Sequence, residues 1–350
     1  MRYFLPLWII LSPLLLCIPS ASGQAQAVTA NEHPLRLWAQ RLDIQLGTAV
    51  DLQPLRQEAG YRERLGREFS MITPANAMKM DSLQPSRGQF SWSDADEIIN
   101  FAERHAQRVH GHTLVWHRQI PKWLESGNWS REELKQMLRE HILTVVGRYK
   151  GRVQIWDAVN EALEEDGSPR ASLWQRIIGP DYIELAFRWA HEADPDAILI
   201  YNDYNAEDMG KKSNAVYSML RDLKQKGVPV HGVGLQMHVT VGMLPAEKDF
   251  RNNLQRLADL DLQLHVTELD VRMALPATAE TLAQQAKDYS RIFKGAAAFR
   301  QLKSFSLWGF TDRHSWIPQE FVGYGAALLW DEKDQAKPAH DAFLRAMQGK

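Results

Sequence analysis

Cysteine is almost absent from this sequence of 350 residues, which contains only Cys17. The rest of the chain can therefore form no disulfide bond and use no catalytic thiolate. The sequence also lacks an excess of either charge, because 41 Lys and Arg residues are balanced by 43 Asp and Glu residues, for a formal net charge of −2. That balance excludes a general nucleic-acid binder, which relies on a strongly basic surface. A hydrophobic content of 45% excludes wholesale disorder.

No apolar run is long enough to cross a membrane, which takes about 20 residues. The run at the N-terminus covers residues 4–17, follows a charged start and precedes several small residues. This order is typical of a secretory signal peptide. We expect a signal peptide in residues 1–27, with cleavage after Gly23 or Ala27 left open, and one domain over residues 28–350. The mature protein would then be secreted, to the periplasm or the medium, without membrane association.

Short β-rich runs alternate with longer segments that have the periodicity of helices. The predicted strands cover residues 44–50, 69–73, 108–116, 153–159, 198–204, 232–239, 262–269 and 304–310. Helices are predicted, among others, at residues 95–108, 131–148, 182–193, 211–226 and 281–299. Ser130 and Glu133 form a capping box at the start of the second of these helices. Because no linker or low-complexity stretch interrupts the alternation, we expect a single domain after the signal peptide.

Eight strand–helix repeats predict an α/β fold in which a parallel sheet closes into a (β/α)8 TIM barrel. The alternative is an open, doubly wound sheet, which normally has a glycine-rich turn after its first strand. Residues 47–50 lack the glycine spacing of such a turn. The barrel is therefore the predicted fold, and its functional side chains should lie at the C-terminal ends of the strands.

Polar and aromatic side chains are concentrated where the predicted strands end. In chain order they include Asn76, Lys79, His112, Trp116, Gln119, Asn160, Glu161, Tyr204, Asn205, Gln236, His238, Glu268, Asp270, Trp308 and Trp316. At the end of the fifth strand, Tyr201, Asn202 and Asp203 could bind a cation or equally form a hydrogen-bond network at the rim. The twelve tryptophans are more than a core needs and fit stacking against sugar rings, although each alone could equally pack in the core. Together these residues predict one site at a single rim of the barrel.

Two acids among them, Glu161 and Glu268, each follow an apolar run, where a carboxylate is costly unless it has partners or a task. Strands four and seven would place them across the barrel mouth from each other. Glycoside hydrolysis needs such a pair, one acid to protonate the leaving oxygen and one to attack the anomeric carbon or activate water. For either residue alone, the alternative is a structural ion pair at the rim. We expect the nearby Asp157 to be a buried structural acid bonded to neighbouring strands.

Five motifs make the sequence similar to glycoside hydrolase family 10. They are TPANAMK at residues 73–79, HTLVWH at residues 112–117, WDAVNE at residues 156–161, TELD at residues 267–270 and WGFTDRHSW at residues 308–316. The similarity runs from about Leu46 to Phe343, over nearly the whole mature chain. The resemblance implies a secreted endo-β-1,4-xylanase with a (β/α)8 barrel, which retains anomeric configuration by double displacement and uses no cofactor.

The resemblance also implies a role for each residue of the expected site. Glu161 would be the general acid/base and Glu268 the nucleophile, while Asn160 would hold the 2-hydroxyl of the reacting sugar. His238 and Asp270 would orient the nucleophile. Sugar contacts on the glycone side are implied for Asn76, Lys79, His112, Trp116, Gln119 and Gln236, aromatic walls for Trp308 and Trp316, and contacts on the leaving-group side for Tyr204 and Asn205.

The chain departs from the family pattern at several positions. Ala75 stands where the family usually has Glu, and Met80 where it usually has Trp. The missing carboxylate would remove a hydrogen bond to the sugar one place beyond the reacting ring. We therefore expect weaker binding there, or a shifted subsite balance, with the chemistry retained. Arg313-His314 replaces a Lys-Tyr pair and Ala158 replaces Val, away from the expected catalytic groups.

We predict an endo-β-1,4-xylanase that acts on xylan or xylo-oligosaccharides as a monomer, with no cofactor and no nucleic-acid partner. The alternative with the same mechanism is a hydrolase of β-1,4-glucan or short xylo-oligosaccharides, which gains some support from Ala75 and Met80. A non-catalytic sugar binder would not need both acids. A metal-dependent hydrolase could use His110 and His112, but His117 would point to the other face of the strand. With no third ligand of suitable spacing nearby, we predict no metal site.

Overall fold

The computed structural model describes Met1 and residues 34–349. The predicted signal peptide, with Cys17 and both candidate cleavage sites, lies outside the described residues except for Met1. Within the described part of the chain, no helix is both long and apolar enough to span a bilayer.

A closed parallel barrel of eight strands forms the centre of the fold. The described residues contain the strands β1 (Gln45–Val50), β2 (Met71–Pro74), β3 (Arg108–Gly111), β4 (Ile155–Asn160), β5 (Ile198–Asp203), β6 (Gly232–Leu235), β7 (His238–Thr240), β8 (Gln263–Ala274), β9 (Leu302–Leu307) and β10 (Tyr324–Gly325). Around the barrel the order is β8, β6, β5, β4, β3, β2, β1 and β9, and β9 pairs with β8 to close it. β7 pairs with the C-terminal part of β8, where β10 adds a short antiparallel pairing.

Helices follow the strands along the chain. Within the described residues they are α1 (Leu35–Arg41), α2 (Leu52–Gln57), α3 (Ala59–Glu68), α4 (Met80–Leu83), α5 (Ser93–Arg104), α6 (Lys122–Glu125), α7 (Arg131–Arg148), α8 (Leu173–Ile177), α9 (Tyr182–Ala193), α10 (Lys211–Gln225), α11 (Glu247–Ala258), α12 (Ala279–Ala297), α13 (Ile317–Glu320) and α14 (Pro338–Met347), with a 3-10 turn at Asp312–His314. Every residue of β2, β4 and β6 is buried, as expected for strands with helices outside and packed side chains inside. The predicted (β/α)8 barrel is confirmed.

Several element boundaries agree with the sequence predictions. The helices α7 and α9 have the predicted bounds. The capping box of α7 is formed, because Ser130 Oγ accepts a hydrogen bond from the Glu133 N–H and the Glu133 carboxylate accepts one from the Ser130 N–H. Local sequence signals therefore determine where this helix begins.

Two strands differ from the prediction. β3 ends at Gly111 rather than at residue 116, because the following residues bond to β4 only through isolated hydrogen bonds, such as that from Leu114 N–H to the Asp157 carbonyl at 3.0 Å. The sixth predicted strand divides into β6 and β7 at Met237, whose φ of 63° interrupts the extended conformation. Both interruptions lie at the rim where the functional residues were expected.

The two strands that position the expected catalytic acids have an irregular register. β4 slips against β5 at Ala158, and β8 slips against β9 between Val266 and Leu269. Such bulges change the direction of the side chains beside them and are common next to active sites. The bulge in β4 precedes Glu161, and the one in β8 contains Glu268. Irregular strand geometry therefore helps to aim both carboxylates.

Candidate active site

The rim at the C-terminal ends of the strands encloses a cleft of about 870 Å³. The expected site residues that line it are Asn76, Lys79, His112, Trp116, Gln119, Glu161, Tyr204, Asn205, Gln236, His238, Glu268, Trp308 and Trp316. The other two, Asn160 and Asp270, are buried behind this lining and bonded to it. The structure thus brings all the expected residues together in one place.

Glu161 directly follows β4 and adopts a left-handed backbone conformation, with φ of 54°. Its carboxylate accepts hydrogen bonds from Asn160 Nδ2 at 3.2 Å, Gln236 Nε2 at 3.1 Å and Trp116 Nε1 at 2.9 Å. His117 Nδ1 lies 3.7 Å from the same carboxylate. Burial lowers the pKa of His117 to about 4, although the charge of Glu161 opposes this shift. His117 is therefore neutral above that pH.

Glu268 lies within β8 and is almost fully buried. Its Oε1 accepts a hydrogen bond from Asn202 Nδ2 at 2.7 Å, and its Oε2 accepts one from His238 Nε2 at 3.2 Å. His112 Nδ1 lies 4.0 Å from Oε1. Donors on both oxygens hold this carboxylate in one orientation at the cleft.

Two amide side chains connect the acids. Asn160 donates to Glu161 through Nδ2, and its Oδ1 accepts a hydrogen bond from Asn202 Nδ2 at 3.0 Å. The same nitrogen of Asn202 donates to Glu268, while Asn202 Oδ1 accepts from Thr267 Oγ1 at 2.7 Å. A continuous chain of hydrogen bonds therefore fixes the two carboxylates relative to each other. The sequence analysis named Asn202 in a possible hydrogen-bond network at the rim but did not predict that it connects the two acids.

His238 connects Glu268 to a second acid, Asp270, which faces it across the pairing of β7 with β8. His238 Nδ1 donates to Asp270 Oδ2 at 2.8 Å, and Trp316 Nε1 donates to the same oxygen at 2.8 Å. Burial disfavours the charged imidazole, but the carboxylates of Asp270 and Glu268 outweigh it and raise the pKa of His238 to about 10. At neutral pH His238 is therefore a cation that donates to both acids.

Asp157 lies beneath the cleft and binds two histidines. His110 Nε2 donates to its Oδ1 at 2.9 Å, and His112 Nδ1 donates to its Oδ2 at 2.8 Å. Burial alone would raise the pKa of Asp157, but the two histidines outweigh it and hold that pKa well below its usual range. The expectation of a buried structural acid is confirmed.

A trio of potential metal-ligating atoms is part of this arrangement. Atoms of His112, Asp157 and Glu268 lie within 4.8 Å of one another. The sequence analysis found no third ligand for the histidines, because His112 follows β3 while Asp157 and Glu268 lie within β4 and β8, and the three groups meet only in the folded barrel. In the structure each of the three side chains is engaged in hydrogen bonds within the site.

Lys79 and its neighbours form one wall of the cleft. Lys79 Nζ donates to Asn76 Oδ1 at 3.1 Å and lies 4.9 Å from the centre of the Trp116 ring. Burial lowers the pKa of Lys79, although Glu268 and other acids oppose this shift. Gln119 Nε2 donates to the same oxygen of Asn76 at 3.5 Å. This wall therefore offers hydrogen-bond donors and a flat aromatic face to a polar, ring-shaped ligand.

Another part of the cleft wall contains an arginine that the sequence analysis missed. Arg170 Nη2 donates to the Tyr204 hydroxyl at 3.1 Å, and Arg170 Nε donates to the Glu161 carbonyl at 2.8 Å. Asn205 Nδ2 donates to Glu165 at 3.1 Å. Arg170 lies in the connection between β4 and α8, outside every motif, so no sequence signal marked it.

The departures from the family pattern affect the cleft unequally. Ala75 lines the cleft, whereas Met80 is packed in the hydrophobic core and is not part of the lining. Asp51, an acid that the sequence analysis missed, accepts a hydrogen bond from Asn76 Nδ2 at 3.4 Å, and burial raises its pKa. His314 lines the same region. The replacement at residue 75 therefore changes the cleft surface directly, and the one at residue 80 changes the packing behind it.

Comparison with known proteins identifies relatives of this chain. The family model described as Glycosyl hydrolase family 10 matches residues 35–346. Endo-1,4-beta-xylanase B of Thermotoga neapolitana is 44% identical over 331 residues, covering 94% of this chain and 95% of the relative. The crystal structure of xylanase 10B from Thermotoga petrophila RKU-1 in complex with xylobiose has a TM-score of 0.89 at 45% identity and covers 90% of this chain and 97% of that chain. Native xylanase 10B from Thermotoga maritima also gives a TM-score of 0.89 at 46% identity, and the match covers 90% of this chain and 98% of that chain.

Proposed function

The chain belongs to glycosyl hydrolase family 10, and we propose that Glu161 and Glu268 are the two carboxylates with which it cleaves xylan. It is an endo-1,4-β-xylanase, which hydrolyses internal β-1,4 linkages between xylose units. One observation supports the assignment most strongly: hydrogen bonds through Asn160 and Asn202 join the two carboxylates at the cleft. Retaining hydrolysis needs such a pair of carboxyl groups at the reacting bond, one as acid/base and one as nucleophile.

In the first step, a carboxylate oxygen of Glu268 attacks the anomeric carbon of the bound sugar. As this bond forms, the bond from the anomeric carbon to the leaving oxygen breaks, and Glu161 transfers its proton to that oxygen. The leaving sugar departs with a new hydroxyl group. The remaining sugar is held as a covalent ester of Glu268.

In the second step, water takes the place of the leaving sugar. Glu161, now a carboxylate, removes a proton from the water as the water oxygen attacks the same anomeric carbon. The ester bond breaks, Glu268 is released as a carboxylate, and Glu161 is again protonated. Two inversions at one carbon leave the new chain end in the β configuration.

Three neighbours prepare Glu268 and the reacting sugar for these steps. His238, charged at neutral pH and fixed by Asp270, holds one oxygen of Glu268 and stabilises the carboxylate that departs in the second step. Asn160, which already donates to Glu161, offers its amide to the sugar 2-hydroxyl, in a bond that strengthens in the transition state.

Xylose units on either side of the cleaved bond contact the remaining residues of the cleft. On the glycone side these are Asn76, Lys79, His112, Trp116, Gln119 and Gln236; Trp308 and Trp316 form the walls of the reacting position, and Tyr204 and Asn205 receive the leaving-group side. The related Thermotoga petrophila xylanase in complex with xylobiose supports binding of xylo-oligosaccharides. Hydrolysis of β-1,4-glucan, the alternative, is not favoured, since the relatives are named xylanases.

Covalent trapping tests the assignment of the two acids. A dinitrophenyl 2-deoxy-2-fluoroxylobioside forms the ester but hydrolyses it slowly, so peptide mapping of the treated enzyme should place the added mass on Glu268. The Glu268→Ala variant should acquire no label, and Glu161→Ala should still be labelled, because dinitrophenolate leaves without a proton. Glu68→Ala, which removes a buried glutamate outside the cleft, is the matched control and should be labelled like the unmodified enzyme. A label on any residue other than Glu268 would contradict the assignment.

We propose further that the enzyme is exported and acts as a monomer. The apolar run within residues 1–27 supports a cleaved signal peptide, with the catalytic domain in residues 28–350. N-terminal sequencing of protein recovered from the periplasm or the medium should give a start at Gln24 or Val28. Intact protein retained in the cytoplasm would contradict export. Light scattering of the purified enzyme should give the molar mass of a single chain, and twice that mass would contradict the monomer.

A further inference from the structure

The backbone at Glu161 is held in a conformation that a glutamate rarely adopts. Its φ of 54° lies in the left-handed region. Outside glycine, this region is sparsely occupied, and a residue stays there only when its surroundings determine the conformation. The contacts of the backbone around Glu161 therefore help to determine where its carboxyl group points, together with the three side chains that donate to that group.

Three hydrogen bonds hold the backbone groups next to Glu161, and a fourth joins the Arg170 N–H to the Ala162 carbonyl at 2.8 Å. The Glu161 N–H donates to the Asn202 carbonyl at 2.9 Å, and the Glu161 carbonyl accepts from Arg170 Nε at 2.8 Å. The N–H of the next residue, Ala162, donates to the hydroxyl of Tyr201 at 3.0 Å. The partner of the first bond is the backbone of Asn202, and the partner of the second is Arg170, which lines the cleft. The partner of the third, the side chain of Tyr201, does not line the cleft.

Tyr201 is itself held by a buried ion pair. The ring is fully buried, and its hydroxyl donates a hydrogen bond to Asp203, which is also fully buried. Asp203 forms an ion pair with Lys212 at 3.0 Å, and Lys212 is only 2% exposed. Because the single hydroxyl hydrogen points to Asp203, an oxygen lone pair of Tyr201 is left to accept the N–H of Ala162.

We propose that Tyr201, oriented by Asp203 and Lys212, is a positioning residue for the acid/base: its hydroxyl fixes the peptide after Glu161 and so places the Glu161 carboxyl group at the leaving oxygen. This inference depends on the proposed role of Glu161 as acid/base. Tyr201 does not line the cleft, and it acts only through the backbone that directly follows β4.

Proton donation is needed only when the leaving group is poor. A sugar hydroxyl departs from the anomeric carbon only with a proton, whereas dinitrophenolate departs without one. A misplaced Glu161 therefore slows formation of the glycosyl ester from xylotriose but not from dinitrophenyl β-xylobioside. General damage to the cleft would slow both, and kcat/KM reports this first irreversible step for each substrate.

The experiment measures kcat/KM of Tyr201→Phe on these two substrates. We expect a loss of about tenfold or more on xylotriose, since small displacements of a catalytic group are costly, and a change below about twofold on the dinitrophenyl substrate. Tyr149→Phe is the matched control, because Tyr149 is equally buried and its hydroxyl donates to Asp96, which is paired with Arg148. Tyr149 lies at the end of α7, and its variant should keep both rates within about twofold.

Equal losses on the two substrates, or full activity of Tyr201→Phe on xylotriose, would overturn the proposal. Should Tyr201→Phe fail to fold, Asp203→Asn is measured on aryl β-xylobiosides of differing leaving-group pKa. These substrates place no sugar beside Tyr204, whose N–H also donates to Asp203, and the loss should grow as the leaving group becomes poorer. Glu161→Ala, measured alongside, separates this inference from the proposed function. If kcat/KM of Glu161→Ala falls equally on both substrates, the acid/base assignment is wrong. If it falls only on xylotriose while Tyr201→Phe keeps its kcat/KM on both substrates, only the positioning role is wrong.

Discussion

The amide nitrogen of Asn202 donates to Glu268 Oε1 at 2.7 Å. The same nitrogen also donates to Asn160, whose own amide donates to Glu161, so that one buried asparagine links the two carboxylates that we propose as catalytic. Asn202 is fully buried and does not line the cleft. We therefore expect Asn202 to contribute to catalysis by holding the two carboxylates in a fixed relative position.

Replacement of Asn202 tests this role. Asn202→Ala removes a donor to a charged group, an interaction of about 1.5–3 kcal/mol, so kcat/KM on xylotriose should fall roughly 10- to 100-fold. Both chemical steps use Glu268, and the loss should therefore extend to the dinitrophenyl substrate. Asn214→Ala, which changes an exposed asparagine on α10, is the control and should keep full activity. A wild-type rate in Asn202→Ala would show that the link has no catalytic role.

The charge of His238 depends on Asp270, and a titration can measure this dependence. The pKa of His238 is raised to about 10, so its imidazole keeps the proton through neutral pH and loses it only as the pH rises through that value. In Asp270→Asn the largest favourable charge is removed, and the pKa should fall toward the usual value of about 6.5. Nitrogen NMR of labelled histidine follows this titration directly. An unchanged pKa of His238 in Asp270→Asn would refute the assigned cause.

Buried His141 should make the enzyme less stable in acid. Its Nδ1 donates to Gln84 Oε1 at 2.9 Å, and burial lowers its pKa to about 4. Between the unfolded value of about 6.5 and pH 4, the unfolded chain binds one more proton at this site, so the free energy of unfolding falls as the pH falls, by up to about 1.4 kcal/mol per unit. His141→Gln should reduce this slope by roughly one proton in denaturant titrations at several pH values. An identical slope in the variant would contradict the prediction.

Residue 75 is Ala where the family usually has Glu, and restoring the glutamate should strengthen binding of the substrate. Ala75 lines the cleft beside Asn76 and Lys79, so Ala75→Glu would place a carboxylate next to an existing cation. One added hydrogen bond to the sugar beyond the reacting ring should lower KM for xylotriose about two- to tenfold and leave kcat nearly unchanged, because the bond is equal in ground and transition states. Steady-state kinetics measure this, with Met80→Trp as the comparison behind the cleft. A higher KM in Ala75→Glu would show that repulsion from Asp51 dominates.

Much of the fold could be predicted from the sequence because each repeat carries its own signals. Strand and helix periodicities, with a capping box at Ser130, predict eight βα units, and eight units favour closure. The site residues could be named because strand ends meet at one rim and the motifs fall there. Contacts across the barrel could not be predicted. Asn202 donates to Glu268, which lies 66 residues further along the chain, and Arg170 lies at the cleft although its connection contains no motif. Such pairings depend on strand register and loop path, which local patterns do not contain.

The central claim, a retaining cleavage of xylan by Glu161 and Glu268, is tested most directly by proton NMR of soluble xylan during the first minutes of hydrolysis. A chelator is present throughout, because His112, Asp157 and Glu268 bring potential ligand atoms together. The account predicts that new reducing ends appear first as the β-anomer, from internal cleavage, and convert to the α-anomer only by mutarotation. First appearance of the α-anomer, or loss of activity with the chelator, would contradict it.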